Sequence, residues 1–269
     1  MSEIQRDLSP GGLAQAIHRG FVEHVLAIAR VVPGWQLEQV GPFTLIYHQQ
    51  GPTPLDGVLE ARLEPATAEG EIRALLDRFR SMGRSLLWMA TGPDRLPDLA
   101  QRLTALGFAP DDPLPAMALD LERLDGTEPL PDGLRIEPVR DQASHGALMQ
   151  IQVQTLGEGF GPRAALKAAF GLNEDGPVQH CLGYLEGRPV AGATTVYFGG
   201  LATLYGIGTL PEARGRGIGR AMTIQACREA RRRGYRVAAL FATPSGLPVY
   251  QRLGFQAYDQ FQMFFHPHR

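Results

Sequence analysis

Leu204-Tyr-Gly-Ile-Gly-Thr-Leu-Pro-Glu-Ala-Arg-Gly-Arg-Gly-Ile-Gly-Arg-Ala-Met222 changes character midway. From Leu201 to Leu210 the chain is apolar and β-forming, Pro211 ends that run, and Gly215, Gly217 and Gly219 then open a helical pattern that continues to about Arg233. The first N–H groups of a helix lack intrahelical partners and carry the positive end of its dipole, so a helix that starts on glycines is suited to bind an anion. Gly215 and Gly217 let successive N–H groups converge on a ligand, while Arg214, Arg216 and Arg220 add full charges around them. A pyrophosphate fits this chemistry.

Three glycine-loop readings compete, and spacing separates them. A phosphate-binding P-loop requires Gly-x-x-x-x-Gly-Lys-Ser/Thr, but the single lysine, Lys167, lies far from the loop. A dinucleotide fold requires Gly-x-Gly-x-x-Gly and an acid about 20 positions on. Here the glycines are evenly spaced and that region reads Ala238-Ala-Leu-Phe-Ala242. The third pattern, Arg214-x-x-Gly217-x-Gly219, resembles the coenzyme A loop, Gln/Arg-x-x-Gly-x-Gly/Ala, of the GCN5-related N-acetyltransferase (GNAT) family. Downstream, Tyr250-Gln-Arg-Leu-Gly254-Phe255 resembles that family's Tyr-x-x-x-Gly-Phe signature, in the family's order and separation. The resemblance covers roughly Leu134 to His266.

An order of strand, helices, three antiparallel strands, helix, strand, helix, strand is read from Leu134 onward, including the hairpin turn Glu186-Gly187-Arg188 and a short helix at 163–170. The N-terminal half opens with a helix over 9–30, where Leu13, Ile17, Phe21, Val25 and Ile28 recur at helical spacing. Short strands at 36–40, 43–48 and 57–63 follow, then a helix over 68–82, a strand over 85–90 and a helix over 96–106. Leu106-Gly-Phe108 echoes Leu253-Gly-Phe255, which suggests an internal duplication. The first copy has departed from the pattern: Pro65-Ala-Thr-Ala-Glu-Gly70 replaces the arginine-glycine loop, and Leu103 stands in place of the tyrosine. The resemblance therefore implies a mixed α/β fold of two acetyltransferase-like domains, each a mostly antiparallel mixed sheet flanked by helices, with strands 4 and 5 splayed in the second. Residues 1–124 would form the degenerate copy, 125–133 a polar, proline- and glycine-rich linker, and 134–269 the acetyltransferase.

For the second domain the resemblance implies acetyl-CoA as the cofactor. Main-chain groups of Ile207, Gly208, Thr209 and Leu210 would hold the pantetheine arm, and Arg214, Gly215, Arg216, Gly217, Ile218, Gly219 and Arg220 the pyrophosphate. Tyr250 would act as general acid toward the departing thiolate. Ser245 reads first as a helix cap, with a coenzyme A contact as its second role. The fourth-strand glutamate that many members use as a base is missing from Ala202-Thr-Leu-Tyr-Gly-Ile-Gly-Thr209. Glu158 lies in a glycine-rich loop at the substrate-facing edge, where a solvated carboxylate is the alternative reading. Phe160 and Tyr205, with Tyr197, Tyr258 and Phe261, are candidate aromatic walls of the acceptor pocket, and His180 reads as a packing or solvent-facing residue. The expected activity is acetyl transfer to a primary amine of a small molecule or peptide by direct attack in a ternary complex. The competing class is a non-catalytic acyl-CoA-binding module.

Composition limits the remaining possibilities. With 269 residues, 44% hydrophobic and 20% charged, the chain can bury substantial cores. A formal net charge of −2 supplies no basic excess for nucleic acid. Cys181 and Cys227 have neither metal-ligand spacing nor the density of a disulfide scaffold, so no metal is expected and a reducing compartment is. The N-terminus lacks a basic-then-apolar signal, and no apolar run approaches the ~18 residues needed to span a bilayer. A cytoplasmic protein without a membrane partner is expected, and a homodimer is compatible with the sequence.

Overall fold

A computed structural model of the chain describes residues 3–92, 95–125, 128–157, 170–172 and 175–268. Glu158, Phe160 and residues 163–169 of the short helix expected at 163–170 lie outside the described residues. The chain forms two compact units, a larger one from Met1–His24 and Ala116–Tyr258 and a smaller one from Val25–Pro115 and Asp259–Arg269.

The first element, α1 (Pro10–Val31), contributes its residues up to His24 to the larger unit. The smaller unit continues with β1 (Trp35–Val40), β2 (Phe43–His48), β3 (Gly57–Ala61), α2 (Ala68–Ser81), β4 (Leu86–Ala90), α3 (Leu99–Ala105) and β5 (Ala109–Pro110). β1, β2 and β3 are antiparallel neighbours, and β3 runs parallel to β4 as its connection through helix α2 requires. The helical repeat of Ile72, Leu75, Leu76 and Phe79 buries one face of α2 against Leu45, Val58 and Trp88.

The larger unit is built from β6 (Leu114–Asp120), β7 (Leu134–Pro138), α4 (Gln142–Leu156), β8 (Val178–Leu185), β9 (Arg188–Phe198), β10 (Leu201–Thr209), α5 (Ile218–Arg232), β11 (Val237–Phe241) and α6 (Leu247–Arg252). Its strands run in the order β6, β11, β10, β9, β8, β7, with β10 and β11 the parallel pair. Ala202 and Leu204 pack with Ile224, Cys227 and Ala230 of α5, whereas Leu201 packs with Leu13, Ala16 and Ile17 of α1. Because side chains alternate along a strand, α5 and α1 cover opposite faces of β10. The last strand, β12 (Gln256–His266), starts in the larger unit and pairs with β4 in the smaller one, from Gln262↔Ala90 to His266↔Leu86; β5 lies along its other edge at Phe264 and Phe265.

The division differs from the sequential one expected. Residues 1–24 and 116–133 belong with the larger unit, and 259–269 belong with the smaller. Strand pairing is the reason, because β6 lies on β11 from Asp120↔Val237 to Phe241↔Ala116. Leu124, the last residue before the expected linker, is 5% exposed in the larger unit's core.

The Gly-Phe echo has a structural counterpart. Gly107 and Gly254 take φ of +90° and +92°. The following N–H groups donate backward, Phe108 to Leu103 O at 3.1 Å and Phe255 to Tyr250 O at 3.0 Å.

Candidate active site

β10 and β11 pair in parallel from Ala202↔Ala238 to Leu204↔Leu240, and their register ends there. β10 continues along β9 to Thr209↔Ala191. Between Tyr205↔Thr194 and Gly208↔Gly192 the register shifts, so Gly206 and Ile207 stand opposite Ala193 alone. This is a bulge, and Gly206 takes φ +60° within it. The β11-facing edge of β10 thus leaves its strand partner at Leu204, opening the expected splay.

Past Thr209 the chain makes a 3₁₀ turn at Pro211–Ala213 and reaches the glycine loop. Gly215 and Gly217 have φ of +77° and +75°, in the left-handed region that a side chain disfavours. No atom lies within 4 Å of a Cβ built at Gly215, so backbone conformation rather than crowding calls for glycine there. Gly217 is the N-cap of α5 and offers no side-chain cap, which leaves the first N–H groups unspent on side chains. Arg214, Gly215, Arg216 and Gly217 are exposed, while Ile218 is buried and anchors the helix start. Arg214 Nε donates to Thr209 O at 3.0 Å, tying the loop to the end of β10.

Arg220 is engaged differently from the sequence expectation. Its Nε donates to Glu128 Oε2 at 2.8 Å and its Nη2 reaches Glu128 Oε1, while Arg228 Nη2 donates to Glu128 O at 3.3 Å. The hydrogen-bonded pair holds the Glu128 carboxyl below its ordinary range and the Arg220 guanidinium above its own. The charge this arginine would bring to the loop is therefore already balanced, leaving Arg214 and Arg216 as the loop's exposed cations.

Tyr250 projects from α6 into the core formed with Leu204, Leu240 and Ala242. Its ring meets Phe255 edge-on at 5.9 Å, and a Cβ on Gly246 would stand 2.7 Å from its Cε2, so glycine makes room for the phenol. Burial pushes the hydroxyl up to about 12, keeping it a neutral donor near neutral pH. Ser245 is exposed and does not cap α6: Thr243 Oγ1 accepts from Gly246 N at 3.3 Å and lies 3.3 Å from Ser245 Oγ.

On the face opposite α5, Tyr205 packs against His24 of α1 at 5.4 Å and Phe241 at 6.1 Å, and His24 stacks on Phe198 at 5.5 Å. Burial raises the Tyr205 phenol, which therefore stays neutral. Of the other expected wall residues, Tyr258 packs on the same cluster as Phe241, whereas Tyr197 and Phe261 lie elsewhere. Tyr197 lies on the α5 side, donating to Gln179 Oε1 at 2.8 Å beneath Arg233. Phe261 belongs to the smaller unit.

Sequence reading missed Gln152. This α4 side chain is 1% exposed and donates from Nε2 to Gly206 O at 3.0 Å and to Thr194 Oγ1 at 3.2 Å. His180 Nδ1 lies 2.9 Å from the same Thr194 oxygen, so His180 is a buried hydrogen-bonded residue and does not face solvent.

Residues 147–255 match the model of the acetyltransferase (GNAT) family. The chain is 27% identical over 228 residues to mycothiol acetyltransferase of Pseudarthrobacter chlorophenolicus, with 77% of this chain and 69% of the relative covered. A GCN5-related N-acetyltransferase from Kribbella flavida has the same fold at TM-score 0.67 and 20% identity, covering 91% of this chain and 95% of its own. So does a tandem GNAT protein from the clavulanic acid biosynthesis pathway, at TM-score 0.61 and 17% identity, with 97% and 96% covered. Because the splayed strand, the glycine loop and the Tyr250 turn all fall inside the matched segment, the chain carries a GNAT-family acetyltransferase domain and is an N-acetyltransferase that uses acetyl-CoA.

Proposed function

We propose that the larger unit acetylates a primary amine of a small molecule or a peptide by direct attack in a ternary complex. The observation that carries this reading is a β10 edge released at Leu204, leading into a helix start with no side-chain cap and lying beside a buried neutral phenol. The residues present fit acetyl-CoA. Main-chain groups of Ile207, Gly208, Thr209 and Leu210 would hold its pantetheine amides. The first N–H groups of α5, around Gly215, Gly217, Ile218 and Gly219, would hold its pyrophosphate with Arg214 and Arg216. Ser245, exposed before α6, is free of capping duty and would contact the coenzyme. When bound, acetyl-CoA supplies an acetyl group activated as a thioester.

The chain's own groups then divide the work. N–H groups of the bulged strand are fixed dipoles that can take up negative charge developing on a carbonyl oxygen, without reorganising at the moment of reaction. The Tyr250 hydroxyl donates a proton to the leaving sulfur, a role open to a phenol that burial keeps protonated. β10 offers no acid as a base, so the amine proton passes to water or to another segment, Glu158 being the candidate from sequence. Tyr205 and Phe160 are proposed as walls of the acceptor site.

The smaller unit is proposed as a degenerate copy that binds no coenzyme. Its α2 begins with Glu69 and Glu71, whose negative charge at a helix start opposes a pyrophosphate, and Leu103 fills the place of Tyr250 with no proton to give. No helix among the described residues is long and apolar enough to cross a membrane, in keeping with action in the cytoplasm.

A panel of small primary amines and peptide N-termini, scored for thiol release from acetyl-CoA, tests the function. Acceptor-dependent release by the wild-type protein is the expected outcome. Stoichiometric binding of acetyl-CoA with no release across the panel would point instead to a binding module.

A further inference from the structure

We infer that Gln152 is a positioning residue for the reaction, aiming the peptide plane between Gly206 and Ile207 at the thioester. The inference rests on the acetyl-transfer reading given above and adds to it a part that the sequence motifs do not contain.

The seat of α4 comes first. Gly192 and Gly208 face each other across β9 and β10. A Cβ at Gly192 would stand 2.5 Å from Leu148 Cδ1, and one at Gly208 would overlap the Thr155 side chain. Both glycines are therefore where α4 touches the sheet most closely. Gln152 lies between Leu148 and Thr155 on the same helical face, four residues after one and three before the other, so this close approach brings its amide onto the bulge.

Hydrogen-bond chemistry then fixes the amide. Gly206 O can only accept, so the Gln152 nitrogen and not its oxygen must point at the bulge. The second donation goes to Thr194 Oγ1, a hydroxyl oxygen that also lies within hydrogen-bond reach of His180 Nδ1 at 2.9 Å. Gln152 is thus held from two sides, by its helix and by a threonine on the neighbouring strand. At 1% exposure it has little freedom to turn.

The consequence follows from peptide planarity. In a trans peptide the C=O of one residue and the N–H of the next point in opposite directions. Drawing Gly206 O toward α4 therefore turns the Ile207 N–H away from α4, toward the α5 side of the sheet. Gly206 can hold the required φ of +60° without a Cβ penalty, but glycine's own freedom does not select it. Gln152 supplies the selection.

Two variants and a spectroscopic readout test this. Gln152→Met keeps the length of the side chain and removes the donor, and Thr194→Val removes the brace while keeping the packing of β9. Acetyl-CoA labelled with ¹³C at the thioester carbonyl is bound to each protein, with affinity measured by calorimetry and turnover with an accepted amine. In Gln152→Met the carbonyl resonance is expected to move back toward its position in free acetyl-CoA. kcat should fall about 10- to 100-fold, less than the loss of an oxyanion donor outright, with Kd within about threefold and the melting temperature preserved. Thr194→Val should move both readouts the same way by a smaller factor, and it carries the test where Gln152→Met fails to fold. An unmoved resonance and unchanged kcat in folded variants would overturn the inference, as would losses of kcat and affinity that simply track a loss of stability. A wild-type protein that binds no labelled acetyl-CoA would instead overturn the acetyl-transfer reading beneath it.

Discussion

Tyr250 and Leu103 occupy equivalent turns, each receiving a hydrogen bond from the phenylalanine five residues on, yet only one carries a proton to donate. Tyr250 is 9% exposed, and burial pushes its hydroxyl up to about 12. As a general acid it works only while protonated, so the proposed role survives well above the ordinary phenol range of ~10. Tyr250→Phe should lower kcat by roughly 10- to 10⁴-fold with little change in acetyl-CoA affinity. The wild-type pH profile of kcat should show no alkaline decline from this group through pH 10. A fall near the ordinary phenol value that disappears in Tyr250→Phe would contradict the environment described here. The turn that carries Tyr250, the helix start at Gly217 and the exposed Arg214 and Arg216 were legible in the sequence because each answers to a local rule, a turn signature or a helix start. Gln152 and Glu128 were not, because a helix glutamine and a linker glutamate acquire their meaning only from the partners that folding brings to them.

At the level of elements, the site depends on how α4 meets β9 and β10. Asp141 caps α4, accepting from Ser144 N at 2.7 Å, and Gly157 ends it at φ +89°. Between them the helix lies in the furrow left by Gly192 and Gly208. Gly206 is the glycine that the bulge itself requires, at φ +60°. Gly208 has a different reason: it is buried, and any side chain there would meet Thr155. Gly208→Ala should destabilise the protein by about 1–3 kcal/mol, the usual range for forcing a methyl into a packed site. Thr155→Ala should recover part of that loss in the double variant, because it removes the atoms that the new methyl meets first. Chemical denaturation of the four proteins measures this coupling, and strictly additive effects would show that the clash is not with Thr155. The splay itself was expected only from the family resemblance, since strand periodicity does not reveal where a parallel pair comes apart.

On the scale of the whole molecule, most helices and strands were readable from periodicity and turn residues, while the grouping into units was not. Sequential domains are the natural assumption for a chain with a proline-rich middle, but strand pairing gives β6 to the larger unit and most of β12 to the smaller. Short strands with apolar runs carry no mark of which sheet they will join. Phe264, 1% exposed, completes the smaller unit's core from the far end of the chain. The functional asymmetry proposed for the two units rests on chemistry. One presents left-handed glycines and exposed arginines at a helix start, whereas the other presents Glu69 and Glu71. Calorimetric titration with acetyl-CoA of the wild-type protein and of Gly217→Glu tests that asymmetry most directly. A glutamate at φ +75° would be strained and would set a carboxylate among the anion-binding amides. The expected result is one acetyl-CoA per chain, with binding lost in Gly217→Glu, whereas two equivalent sites, or undiminished affinity in that variant, would contradict it.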